Sequence, residues 1–201
     1  MRLTPIERPR GLVLRVFLWL STRWFGKPPT PYRVAIARMP AGLWTMLGIY
    51  WGLARLRLGR GLQLLLQTHV ARLNGCGFCL DIGRAVAVQT GLMLDQVDAL
   101  DAWRTSPAFT PAERAALAYV EEAKLNKRVA DTTFAELRRN FDERSIVEIT
   151  WLCAVENYFN LMNLPLEIES DGLCAIAESR RAARGSLPPI DEGGAERASV
   201  A

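Results

Sequence analysis

The chain has 201 residues, half of them hydrophobic and 23% charged, with a formal net charge of +4. That composition excludes a disordered or collagen-like chain, and it suffices for one domain with a real core and no disulfide staples. The charge is uneven: residues 1–75 carry twelve Lys/Arg against one acid, Glu7, while residues 76–201 carry thirteen against twenty. A basic half packed on an acidic half, within one subunit or between subunits, accounts for this. A nucleic-acid partner is not expected, because the arginines are scattered among apolar runs rather than gathered on a reading helix or an aromatic platform.

The hydrophobic pattern is helical almost throughout, with no alternating strand-like run, so the fold class is all-α. Residues 10–25 predict a first helix that stops near Gly26 and the "KPPTP" linker. Its basic front and apolar middle are interrupted by Arg15. No small-x-small cleavage site follows, and the run is shorter than the roughly 20 residues a membrane span needs. Neither a signal peptide nor a transmembrane segment is expected, and the protein is read as cytoplasmic. The helix is expected to dock on the rest of the fold or on a neighbouring subunit. Weak contact with a membrane surface through Trp19, Trp24 and Phe25 is the second reading.

Pro40 opens a second helix, "PAGLWTMLGIYWGLARLR", and "GRG" at 59–61 breaks it. A third spans about 62–73, stopped by Asn74-Gly75. A fourth runs from Cys76 to Gln89 before Gly91, and "LDQVDALDAWR" makes a short fifth. Thr110-Pro111-Ala112-Glu113 is a capping box. The helix behind it turns Ala115, Leu117, Val120 and Leu125 toward a core. Asp131 is expected to cap the next helix and Asp142 the last long one, which Pro165 ends. From about residue 177 the chain is polar and rich in Gly and Pro, as a loose tail would be.

The stretch "HVARLNGCGFCLDIGRA", residues 69–85, carries the chemistry. The Asn-Gly break places Cys76 at the mouth of a helix and Cys79 one turn in, on the same face. Unpaired N–H groups and the partial positive charge of a helix N-terminus favour thiolate over thiol. Three-residue spacing also lets the two sulfurs meet as a disulfide, so one can attack an oxidant and the other can resolve the product. A structural zinc site would need a second ligand pair, and none is present; no metal is expected. Cys153 and Cys174 sit in apolar contexts and read as packed thiols.

"LNGCGFCLDIG", followed by "SPAFTPAERAALAYVEEA" and "ERSIVEITWLCAVENYFNLMN", resembles the carboxymuconolactone decarboxylase superfamily, nearest its alkylhydroperoxidase D (AhpD)-like branch. The resemblance covers roughly residues 35–165. It implies a single-domain helical bundle of the AhpD-like type, here divided into an N-terminal helix and linker over 1–34, the bundle over 35–170 and a C-terminal tail over 171–201. It also implies assembly into trimers or hexamers. The surplus of apolar helix surface in residues 10–58 points independently to a homo-oligomer. In the hydroperoxidase branch the second cysteine, Cys79 here, takes the peroxide oxygen, and the first, Cys76, resolves it. Such an enzyme needs no cofactor, only a hydroperoxide or similar substrate and a protein or small dithiol as reductant.

The family motif carries a glutamate twelve residues before the first cysteine and a histidine four after the second. Leu64 and Gly83 stand at those positions, so neither relay residue is present. On the helix wheel Thr68 and Gln67 lie nearest the face of Leu64, but neither is a base at neutral pH. His69 faces elsewhere and reads as a half-buried or surface histidine. Asp81 reads as a first-turn acid complementing the helix dipole. Glu148 and Glu156 share a face of the last long helix, either as relay groups or paired with N-terminal arginines; pairing is the expectation. Gly83 is read as a site of close helix approach. The functional expectation is a cysteine-pair oxidoreductase using Cys79 and Cys76, with Thr68, Gln67 and Glu156 as auxiliary candidates. The alternative is a family member without peroxidase activity that binds a small carbonyl or lactone compound or serves as an assembly scaffold.

Overall fold

A computed structural model of the chain describes residues 1–184. The described residues are helical: α1 (Leu12–Phe25), α2 (Ala41–Leu53), α3 (Arg60–Asn74), α4 (Gly77–Thr90), α5 (Leu94–Asp98), α6 (Pro111–Asn126), α7 (Asp131–Asn140), α8 (Glu143–Asn163) and α9 (Leu173–Arg184). A π-helical turn at Tyr32–Ile36 lies between α1 and α2, across the boundary drawn from sequence between linker and bundle at residue 34. Among the described residues no helix is long and apolar enough to cross a membrane.

Helix α3 is the hub, packing on α4, α6 and α8. Leu65 and Leu66 of α3, Leu117 and Val120 of α6, Leu137 of α7 and Ile149 and Leu152 of α8 are all fully buried in one cluster. Each such side chain contributes about 1.5–3 kcal/mol by leaving water. Local signals set the helix ends. Gly75 closes α3 in the left-handed conformation at φ 67°, which costs glycine little. Thr110 and Glu113 complete the expected capping box, and Asp142 Oδ1 accepts the Ser145 N–H at 2.7 Å.

Three local readings change. Asp131 is the first residue of α7 and not its cap; Glu122 of α6 instead accepts the Ala130 N–H and the Thr133 hydroxyl. Among the described residues no side chain caps the first turn of α7, and Glu122 ties the α6–α7 connection to α6. Leu125 is 54% exposed, because α6 has passed beyond the core by its last turn. Residues 173–184, expected to begin the loose tail, form α9 and pack on α4, with Leu173 and Ala177 buried. The rest of that tail, 185–201, lies outside the described residues.

The basic and acidic halves meet through ion pairs of Arg2 with Glu167, Lys27 with Asp171 and Arg72 with Asp101. Helix α1 packs on the bundle through Leu14 and Leu18, against Tyr32, Ile36, Leu43 and Met46. Phe25 also turns inward, into the cluster around the cysteines, so it is no membrane anchor. The π-turn aims Tyr32 and Ile36 at a cavity shared with α1 and α8.

Candidate active site

The Asn-Gly break does what the sequence predicts. Cys76 takes the N-cap of α4 in extended conformation, and its sulfur accepts the Cys79 N–H at 3.3 Å. The two cysteines are joined as a disulfide with their Cα atoms 5.3 Å apart. They are not equivalent. Cys79 lines a cavity of about 790 Å³, whereas Cys76 is fully buried and is not part of the cavity wall.

The cavity wall is mostly apolar and aromatic, with a few convergent polar groups, as small-molecule sites are. Gln67, Thr68, Glu156 and Asn163 are among those polar groups, so the structure brings every auxiliary candidate to the cavity that holds Cys79. Thr68 is occupied locally, donating its hydroxyl to the Leu64 carbonyl at 2.8 Å. The same hydroxyl oxygen lies 2.8 Å from where a Cβ on Gly83 would stand. Gly83 is therefore a point of close approach between α3 and α4, and a side chain at that position would collide with Thr68.

Glu156 is not in the expected ion pair. Among the described residues no Lys or Arg nitrogen lies within bridging distance of it. Its carboxylate accepts the Asn160 amide at 2.6 Å and the Gln67 amide at 3.5 Å. Burial pushes its pKa up to about 8, with those two amides pulling the other way. The carboxyl is therefore mostly protonated at neutral pH. Asn160 continues the network, accepting the Asn74 amide at 2.6 Å. Asn74 stands immediately before the Gly75-Cys76 turn, so hydrogen bonds run from the base of the cysteine motif to Glu156.

Glu148, by contrast, does pair, though with Arg144 of its own helix (3.0 Å) and not with an arginine near the N-terminus. Its other oxygen accepts the Arg57 and Leu58 N–H groups at 2.8 and 3.1 Å, which pins the α2–α3 connection.

Asn163 was not singled out from sequence. Its Nδ2 donates to Cys79 Sγ at 3.3 Å. Its Oδ1 is buried and finds no partner among the described residues. A signal did exist: Glu156, Asn160 and Asn163 fall at i, i+4 and i+7 on α8, so one helix face presents all three. Also lining the cavity, the hydroxyls of Tyr32 and Tyr50 meet at 2.9 Å. Burial raises both phenols above their ordinary range.

Two other readings change. His69 is fully buried, with Nε2 3.2 Å from Glu121 Oε2 and its ring edge-on to Trp103. Burial lowers its pKa to about 4, against a partly offsetting pull from Glu121, so it is neutral at pH 7. It does not line the cavity, and the half-exposed position expected for it is excluded by the fold. Asp81 serves α9 and not the dipole of its own helix. Its oxygens accept the N–H groups of Asp171, Leu173 and Cys174 at 3.0, 2.9 and 2.8 Å. Cys153 is a buried thiol, as read, while Cys174 is only half-buried and lies 3.6 Å from Glu178. Among the described residues no cluster of three or more His, Cys, Asp or Glu is disposed to hold a metal.

Comparison with known proteins agrees with this architecture. The carboxymuconolactone decarboxylase family profile matches residues 40–122. The uncharacterized protein YnjA of Escherichia coli (strain K12) is 32% identical over 184 residues, covering 90% of this chain and all of that one. Among solved structures, the debrominase Bmp8 in its apo form superposes with a TM-score of 0.75 at 19% identity, covering 88% of this chain and 96% of that one. A cysteine-to-alanine variant of Bmp8 was solved in complex with 2,3,4-tribromopyrrole. The AhpD core of a peroxidase-related protein from Ralstonia eutropha JMP134 gives a TM-score of 0.69 at 18% identity, covering 84% and 90%. The two structural likenesses speak for the fold, and the near full-length relative and the profile match speak for kinship. The chain belongs to the carboxymuconolactone decarboxylase family.

Proposed function

We propose that the protein is a cysteine-pair oxidoreductase that reduces organic hydroperoxides at the expense of a dithiol. The observation that carries this is the asymmetry of the pair: Cys79 faces a large apolar cavity and Cys76 lies sealed behind it. The reaction starts from the reduced pair. The Cys79 thiolate, favoured by the α4 N-terminus and the Asn163 amide, attacks the terminal oxygen of the hydroperoxide. An S–O bond forms, the O–O bond breaks, and the alkoxide takes a proton from Glu156, which burial keeps protonated near neutral pH. Cys76 then attacks the Cys79 sulfur. The S–S bond forms, the S–O bond breaks, and water leaves with a proton. A protein or small dithiol reduces the disulfide, and Glu156 regains its proton from solvent.

In this scheme Glu156 replaces the relay residues missing at Leu64 and Gly83, delivered from α8 rather than from the helices that flank the cysteines. A second reading uses the same groups. The cavity is apolar and aromatic, and the fold is shared with a debrominase. Attack of Cys79 on a ring bromine would form S–Br and break C–Br, Glu156 would protonate the carbanion, and Cys76 would expel bromide.

The test is turnover with an organic hydroperoxide and a dithiol, for wild type and for Cys79→Ser and Cys76→Ser separately. Cys79→Ser should abolish peroxide consumption, and Cys76→Ser should stall after one equivalent. Rates equal to wild type in both variants would refute the proposal. Bromide release from a brominated pyrrole, without peroxide consumption, would favour the second reading.

A further inference from the structure

We propose that α1 seats this protein on an anionic lipid surface, with the mouth of the cavity turned toward the lipid. The inner face of α1 is accounted for by Leu14, Leu18 and Ser21, which are buried. Its outer face is apolar as well. Leu12 is 76% exposed, Trp19 63% and Trp24 57%, with Val13, Val16 and Leu20 also exposed. At 100° per residue, Leu12, Val16, Trp19 and Leu20 fall within about 100° of one another. A continuous apolar stripe of this kind is not a solvated surface by default.

The charge around the stripe identifies the occupant. Arg8 and Arg10 precede the helix, Arg15 flanks the stripe and Arg23 lies within it, and all four are exposed. Among the described residues none of the four has a carboxylate within bridging distance. Glu7, the only acid in this half of the chain, is held by Arg33. Tryptophan and leucine interleaved with unpaired arginine fit an interfacial helix on negatively charged headgroups. At 14 residues α1 is about 21 Å long, too short to span a bilayer but suited to lying in its plane.

The cavity argues against a second copy as the occupant. Leu20 and Trp24 are exposed, and both also line the cavity, so they form part of its rim. A protein seated on this stripe would cover the rim and obstruct the mouth. Acyl chains would continue the apolar lining outward and deliver a lipid-dissolved substrate to Cys79. Substrate supply from the bilayer rests on the cysteine chemistry proposed above; the seating does not, and it is read without turnover.

The experiment is vesicle co-sedimentation of the full chain with phosphatidylcholine alone and with phosphatidylcholine containing 30% phosphatidylglycerol, followed also by tryptophan emission. Binding to the anionic vesicles, with a blue shift and loss in 0.5 M salt, is expected. Trp19→Asp and the double variant R15E/R23E, both at exposed positions, should keep the wild-type melting temperature and bind at least tenfold more weakly. Equal binding to both vesicle types, or none, overturns the proposal. So does an oligomer that Trp19→Asp dissociates while vesicle binding is absent, since the stripe then belongs to a second copy.

Discussion

The Asn163 side-chain amide donates to Cys79 Sγ at 3.3 Å, from a helix that begins 64 residues after the cysteine motif. Its own oxygen has no partner among the described residues, so the amide is oriented by the sulfur it serves. A hydrogen bond to a charged acceptor contributes about 1.5–3 kcal/mol, which is a tenfold effect or more on the anion it stabilises. In the reduced protein Asn163→Ala should slow alkylation of Cys79 at pH 7 by about tenfold. The check is iodoacetamide kinetics in a Cys76→Ser background. An unchanged rate would mean that the helix N-terminus alone activates the sulfur.

Glu156 has a double signature. Its folded pKa of about 8 lies above the ordinary 4.5. Between those values the folded protein holds a proton that the unfolded chain gives up. Its contribution to stability is therefore full at low pH and declines as pH rises through that window, by up to about 1.4 kcal/mol per unit. Glu156→Gln removes the ionisation; its oxygen can keep the Asn160 amide, while its NH2 group requires Gln67 to turn its own oxygen toward it. Denaturation curves should show the variant losing this alkaline decline and exceeding wild type near pH 9. Its turnover should fall about 10²-fold, with loss of the activity limb near pH 8. A variant that is stabilised but fully active would leave Glu156 a structural acid only.

His69 predicts the opposite slope. Its folded pKa is lowered to about 4 from 6.5. The unfolded chain therefore takes up a proton first, and stability falls as pH drops from about 6.5 toward 4. The loss amounts to about 3 kcal/mol at most. His69→Leu cannot titrate, so the difference in unfolding free energy between it and wild type should shrink or change sign between pH 7 and pH 4. A difference that does not vary with pH would contradict a buried neutral imidazole.

Asp81 anchors the C-terminal helix to the cysteine helix through three backbone N–H groups. Removing a capping carboxylate costs about 1–2 kcal/mol, and buried donors left unmade add to that. Asp81→Ala should destabilise by about 2–3 kcal/mol. Hydrogen exchange should show the loss concentrated over residues 173–177. Uniform protection across α9 in the variant would show that packing on α4, and not the cap, holds it.

Gly83→Ala should destabilise even though alanine favours a helix by about 1 kcal/mol. The added methyl meets the Thr68 hydroxyl at 2.8 Å, and a β-branched side chain has little freedom to yield. Overpacking of this kind costs about 1–3 kcal/mol. The double variant Gly83→Ala with Thr68→Ala should recover most of the loss in a denaturant melt. Additive losses would show that the two positions do not touch.

The cysteine site was legible where its causes are local. The Asn74-Gly75 break, the helix mouth and the three-residue spacing fix Cys76 and Cys79 within one turn of chain. The capping box at Thr110 and the Asp142 cap were readable for the same reason. Misreadings cluster where a distant group intervenes. Asp81 looked like a helix-dipole acid because the N-terminus it caps lies 90 residues away. Asp131 lies inside α7 and caps nothing, while Glu122 of the preceding helix holds the connection before it. His69 faces away from the Leu64 face on its own wheel and was read as half-buried or surface, yet α3 is covered on several sides and the ring is fully buried.

Sequence by itself determined that this is an all-helical chain with a paired-sulfur helix mouth, since helix periodicity, caps and left-handed glycine stops act over a few residues. Only the tertiary structure decided which sulfur faces the cavity, that Asn163 reaches it, and that Glu156 meets two amides and no arginine. Those outcomes depend on how α8 lies against α3 and α4. Side chains far apart in sequence share solvent exclusion and hydrogen bonds only once that packing exists, so no stretch of chain encodes them alone.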